Sequence, residues 1–207
     1  MKIHTIKKND PLFPQALRAI GDDCPEVIYA MGNLDLLACE RSVAIIGARA
    51  ASSDGCTKAR ELGAQYASNG YVVVSGLALG CDTGAHRGCL DAGGHTIAIV
   101  GSGLDIVHPV ENTQLQEQIL ASGGLVISEQ PLGVKPIGRR LVARNRLQAA
   151  MSQEVVVAEC PEHSGTMHTV RFAQKYGKPV KAVRFSFKDE SNSGNWFIIN
   201  NGIGEGI

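Results

Sequence analysis

Four short runs of apolar, largely β-branched residues constrain the fold of this chain more than any other feature. They are Ser42-Val-Ala-Ile-Ile-Gly47, Tyr71-Val-Val-Val-Ser75, His95-Thr-Ile-Ala-Ile-Val100 and Glu154-Val-Val-Val-Ala158. Continuous apolar runs of this length, without in-out alternation, are what strands covered on both faces require. They predict a mainly parallel sheet. Between them lie stretches of helix length: Asp54–Asn69, closed by Asn69-Gly70, then Asp82–Ala92, Asn112–Ser122, Leu141–Met151 and Thr166–Tyr176. Two more strands, Leu125–Ser128 and Pro179–Arg184, complete a strand-helix alternation. The expected class is α/β: an extended, Rossmann-like, doubly wound sheet in a single domain.

At 207 residues and 44% hydrophobic content, the chain can bury one sizeable core. Residues 1–40 contain Pro11, Pro14 and Pro25 and lack the alternation. They read as an appendage, a short helix plus an edge strand near Val27–Met31, ahead of a core spanning 41–207. In the tail, Trp196-Phe197-Ile198-Ile199 is the main apolar block, expected to pack locally or to join a dimer contact.

The formal charge is zero, which excludes binding DNA by global positive charge, yet Arg139 to Lys188 holds ten basic and three acidic residues. A local anion surface and a solvated basic face both fit that gradient. The six cysteines have no metal-finger or C-x-x-C spacing, so they read as reduced thiols, and no metal site is expected. The N-terminus lacks the apolar core of a signal peptide, and the stretch Tyr71–Cys81 is too short to cross a bilayer. A cytoplasmic location is the expectation.

In a parallel sheet the loops at the carboxyl ends of the strands converge on one crevice, so function is sought after each apolar run. Those loops are small and polar: Gly47-Ala-Arg49 with Ser52, Ser75-Gly76 running on to Asp82 and His86, Gly101-Ser-Gly103, and Glu162-His163-Ser164-Gly165-Thr166. None has the G-x-G-x-x-G or Walker pattern, so dinucleotide redox chemistry and triphosphate hydrolysis lack their signatures, and no cofactor is expected. A Ser-Gly-Thr turn at a helix start offers amides and hydroxyls to phosphate. Arg49 can lean over the crevice, or form a surface ion pair with a residue such as Asp54. Asp82 and His86 lie one turn apart and either face each other as an acid-base pair or serve structure; the structural reading is preferred, with Asp82 bonded to a neighbouring loop and His86 half-buried.

Arg139, Arg140, Arg144 and Arg146 form the densest basic cluster. On one helix Arg144 and Arg146 lie about 200° apart, so one is expected to hold the fold while the other meets phosphate.

Taken in order, Ser75-Gly76 to His86, Val100-Gly-Ser-Gly-Leu-Asp105, His108-Pro-Val-Glu-Asn112, Ser128-Glu-Gln-Pro-Leu-Gly133, Arg144-Asn145-Arg146 and Ser164-Gly165-Thr166 resemble the DprA/Smf DNA-processing family. The resemblance runs from Asp10-Pro-Leu-Phe-Pro14 to Gly194-Asn195. It implies a non-catalytic protein that binds single-stranded DNA, commonly dimerises and helps to load a RecA-type recombinase during natural transformation. It also implies phosphate-binding roles for Gly47, Arg49 and Ser52, for Ser75 and Gly76, for Arg144, Asn145 and Arg146, and for Ser164, Gly165 and Thr166. Arg139 and Arg140 join them on charge. Where the family usually shows Phe-Pro, this chain has Leu141-Val142, which removes an aromatic able to stack on a base and leaves binding more dependent on charge. The chain reads as a core-only member. Two rivals are a nucleotide-binding sensor and a LOG-type nucleotide phosphoribohydrolase. The latter needs glutamates after its Gly-Thr loop, where this chain has Met167-His168-Thr169.

Overall fold

The apolar runs form the centre of one nine-stranded sheet in the computed structural model, which describes all 207 residues. The strands are β1 (Ile3–Lys7), β2 (Val27–Gly32), β3 (Ser42–Ile46), β4 (Val72–Ser75), β5 (Thr96–Val100), β6 (Leu125–Ser128), β7 (Glu154–Val157), β8 (Val180–Ala182) and β9 (Glu205–Gly206). Their order is β1-β2-β6-β5-β4-β3-β7-β8-β9. From β6 through to β9 every neighbouring pair is parallel, with Ala44 beside both Val74 and Val155. All five residues of β3 and of β5 are buried, as strands covered on both faces must be.

Helices α1 (Gln15–Arg18), α2 (Ser53–Ser68), α3 (Cys81–Asp91), α4 (Thr113–Ala121), α5 (Gly138–Ala143), α6 (Asn145–Ala150), α7 (Thr166–Lys175) and α8 (Ser193–Asn200) complete the chain. On one side of the sheet Val43, Ile45 and Val73 pack with Ala59 and Leu62 of α2 and Ala85 and Cys89 of α3. On the other, Ala44, Ile46 and Val74 join Leu147 of α6 and Val170 of α7 in the largest core. The apolar tail block belongs there too, because α8 turns Ile198 into this core.

Val27–Met31 is not the edge strand. β2 lies between β6 and β1, antiparallel to both, and the edge is Ile3–Lys7, hidden from a periodicity search by its polar surroundings. Lysines on and beside that edge are the usual protection against further pairing. The first forty residues also contribute Ile6, Phe13, Leu17 and Ile28 to the largest core. The expected helix Leu141–Met151 is two short helices meeting at Arg144, where Leu147 N–H bonds the Arg144 carbonyl at 2.9 Å in a tightened i to i+3 turn.

The sheet order reverses beside β3: the chain runs outward through β4, β5 and β6, then returns to β7 on the other flank. That reversal opens a crevice over the carboxyl ends of β3 and β7.

Candidate nucleic-acid interface

A cleft of about 470 Å³ occupies the crevice, and a chamber of about 190 Å³ continues it toward β5. The two share Arg49, Ala78, Leu141 and Arg144 as walls. From the end of β7 to the end of β5 the path crosses four strands, about 14 Å at the usual strand spacing.

Three helix starts border this path, and each presents amides to an anion. At α2 the place is taken. The buried Glu159 carboxylate accepts the Ser52 amide at 2.6 Å and the Ser52 hydroxyl at 2.6 Å, while that hydroxyl caps Gly55 N–H at 2.9 Å. In the loop leading to α3, Asp82 accepts the amides of Gly76 at 3.1 Å and Ala78 at 3.3 Å. Leu77 between them adopts φ 59°, a left-handed conformation that aims both amides at one carboxylate. At α7 the place is open: Gly165 and Thr166 amides meet no protein acceptor.

Arg144 is 5% exposed and threads between these groups. Its Nη2 donates to the Gly76 carbonyl at 3.0 Å and stands 3.8 Å from the Asp82 carboxylate. A Cβ on Gly76 would overlap the guanidinium, so glycine is required for this close approach. Burial raises the Asp82 pKa, against the pull of Arg144 and the two amides. Burial likewise lowers that of Arg144; Asp82 opposes this, and the charge of Arg49 adds to it. Two cations thus face one cleft, and an anion between them relieves their repulsion.

The expected site residues divide cleanly. Gly47, Arg49, Gly76, Arg144, Asn145, Ser164, Gly165 and Thr166 line the path. Ser52 does not, because Glu159 holds it. Ser75 does not either: its hydroxyl is buried and donates to the Ile45 carbonyl at 2.7 Å. Arg146 points away and grips Glu129 with two nitrogens, the Asp23 carbonyl at 2.8 Å and the Ala143 carbonyl at 2.9 Å. Arg139 and Arg140 sit outside the cleft on α5, Arg140 donating to the Lys135 carbonyl at 2.9 Å.

His86 is fully buried, not half-buried, and its Nδ1 meets the Thr96 hydroxyl at 2.7 Å rather than Asp82. Burial pulls its pKa down to about 3, with the Arg144 charge adding to the effect. Neither His86 nor the thiols are poised for chemistry, since burial pushes the Cys160 pKa up to about 12. Sequence reading missed Gln148 and Thr169 on the cleft wall, although each lies one helical turn beyond a candidate, Arg144 and Thr166. Leu141, singled out for the lost aromatic, lies on the wall between cleft and chamber.

The family model for DNA recombination-mediator protein A matches residues 4–205. The chain belongs to the DprA/Smf family. Protein Smf of Synechocystis is 37% identical over 94% of this chain, which spans about half, 49%, of that relative's length. The crystal structure of DNA processing protein A from Streptococcus pneumoniae superposes with a TM-score of 0.90 at 36% identity, covering 100% of this chain and 71% of that one. DNA processing protein A from Helicobacter pylori, solved in work on its single-stranded DNA binding mode, gives 0.89 at 32% identity, covering 100% and 91%. Membership of a DNA-processing family therefore rests on sequence and fold together. No helix is long and apolar enough to cross a membrane.

Proposed function

We propose that this chain binds single-stranded DNA along the path from the end of β7 to the end of β5, and holds the strand without cleaving it. One observation carries the reading: Arg49, free of any ion pair, and the buried Arg144 share a cleft with the open α7 N-terminus. A path of about 14 Å matches about four stacked nucleotide steps of about 3.4 Å, enough to seat a short stretch of strand. Arg139 and Arg140 on α5 extend the positive rim. Leu141 offers apolar contact to a base but no aromatic stacking, which leaves phosphate charge dominant.

The carboxylates near the path are unsuited to glycosidic cleavage. Asp82 is held by two amides and Arg144, and Glu159 by Ser52 and Ser191. On family resemblance the reading extends to a cytoplasmic homodimer that passes its strand to a RecA-type recombinase. The test is a titration with single- and double-stranded oligonucleotides of increasing length. Binding that strengthens with single-strand length supports the reading; equal binding of a mononucleotide and a long strand, or release of free base from AMP, defeats it.

A further inference from the structure

The floor of the larger cleft carries donors that the protein itself leaves without acceptors. Gln148 on α6 is 1% exposed, lines the cleft, and its Nε2 has no hydrogen-bond partner. The Ser164 hydroxyl likewise has no partner beyond the neighbouring Cys160 thiol. The Gly165 and Thr166 amides at the start of the ten-residue α7 complete the set. A buried amide nitrogen without a partner costs about 1–3 kcal/mol. That cost is removed when a ligand brings acceptors to it.

From these groups we infer a terminal-phosphate subsite: the cleft floor receives a phosphate monoester at the end of a DNA strand. The inference rests on the strand-binding reading and specifies what that same site selects. Chemistry decides between monoester and diester. The unpartnered side-chain nitrogen and both backbone amides can only donate, so the floor wants acceptors, which a base edge supplies only in part. A monoester presents three acceptor oxygens and about −1.5 to −2 charges, against the single charge of a diester. Asp82 does not oppose the charge, being held by Arg144 and two amides.

The test compares the full chain binding one oligothymidine that carries a 5′-phosphate, a 3′-phosphate or hydroxyls at both ends, by fluorescence anisotropy. A phosphate at one of the two ends tightens binding about tenfold, as charge-assisted hydrogen bonds to several donors predict, and Gln148→Leu brings the ratio close to one. Whichever end gives the gain identifies the source of the phosphate. Equal affinity for all three oligonucleotides overturns the inference, as does a ratio that survives in Gln148→Leu. A titration with inorganic phosphate, followed by NMR, provides a readout that needs no variant: the Gly165 and Thr166 amides and the Gln148 side-chain amide shift together, and their failure to do so overturns the subsite. If no oligonucleotide binds whatever its ends, the strand-binding reading fails, a result distinct from binding that ignores the end.

Discussion

Arg146 is predicted to hold the fold and to leave DNA binding to its neighbours, although it belongs to the same Arg-Asn-Arg motif as Arg144. Its guanidinium makes two bonds to Glu129, one of 2.7 Å, and one each to the carbonyls of Asp23 and Ala143, with the two charged side chains 15% and 14% exposed. Replacing it with alanine leaves the Glu129 carboxylate and the Asp23 carbonyl without a partner in a largely dry pocket. Breaking such a pair costs about 3 kcal/mol, at the lower end for buried pairs because some water reaches it. That is a large share of the roughly 5–15 kcal/mol that stabilises a typical domain. With a urea dependence of about 2 kcal/mol per M, the midpoint of Arg146→Ala falls by about 1.5 M. Replacing both partners by apolar residues, Arg146→Met with Glu129→Leu, recovers most of the loss, since no charge is then stranded. Urea unfolding followed by fluorescence reads both values. A midpoint shift under about 0.3 M for Arg146→Ala refutes the structural assignment. So does a folded Arg146→Ala protein that loses as much DNA affinity as Arg49→Ala.

Arg49→Glu, by contrast, leaves the unfolding free energy measured in urea within about 0.5 kcal/mol of the parent yet weakens oligonucleotide binding steeply, and the slope of log affinity against log salt becomes shallower by about one phosphate or more. An unchanged slope excludes Arg49 from the interface. Gly76→Ala drives a methyl into the Arg144 guanidinium and lowers stability and affinity together by about 1–3 kcal/mol, measurable by melting and by titration; a neutral effect refutes the required close approach. Glu159→Gln sets an amide against the Ser52 donors and costs about 2 kcal/mol, which at about 2–4 °C per kcal/mol for a chain of this size lowers the melting temperature by about 4–8 °C, so an unchanged melt would show that this carboxylate does not brace the α2 start. His86 ionises at about 6.5 when unfolded and about 3 when folded, so the unfolded state binds the extra proton. Its contribution is therefore intact above pH 6.5 and is lost as the pH falls toward 3, by up to about 1.4 kcal/mol per unit, and the stability curve of a His86→Gln variant must be flatter over that window.

The sheet was legible because burial on both faces leaves a one-dimensional mark, continuous β-branched runs, and each became a central strand within a residue or two of its expected limits. β1 left no such mark. Ile3–Lys7 mixes polar and apolar residues at a sheet edge, where only one side is paired. The cleft was legible as loops but not as chemistry. Gly47, Arg49, Arg144 and Ser164-Gly165-Thr166 fell where strand ends converge, because that convergence follows from parallel topology alone. Ser52, Ser75 and Arg146 lie off the path for a common reason: each has the right atoms for phosphate, and each has a protein acceptor reached through long-range contacts. Glu159 lies 107 residues from Ser52, and no local pattern announces that pairing.

The same pairing explains how a chain with zero net charge can present a cationic groove. The basic excess between Arg139 and Lys188 overstates the field, since Arg146, Lys175 and Lys181 are matched by Glu129, Asp23 and Glu154. Internal carboxylates also take up amides beside the cleft, Glu159 at the α2 start and Asp82, from the first turn of α3, on the Gly76 and Ala78 amides of the loop ahead of it. What they leave uncompensated is narrow: Arg49, the rim arginines of α5, and the amides of α7. A protein that cancels its other charges in this way gains a localised attraction for phosphate without a general affinity for polyanions. The consequence is specific. Removing the internal negative charge, as in Glu159→Gln, leaves the α2 start without its compensating anion and raises affinity for inorganic phosphate, while removing Arg49 lowers it. Phosphate titrations of the two folded variants must therefore move in opposite directions, and Glu61→Gln, which removes the same charge from the exposed face of α2, must leave the affinity unchanged; a gain equal to that of Glu159→Gln would show that the cleft responds to total charge rather than to which helix start is open.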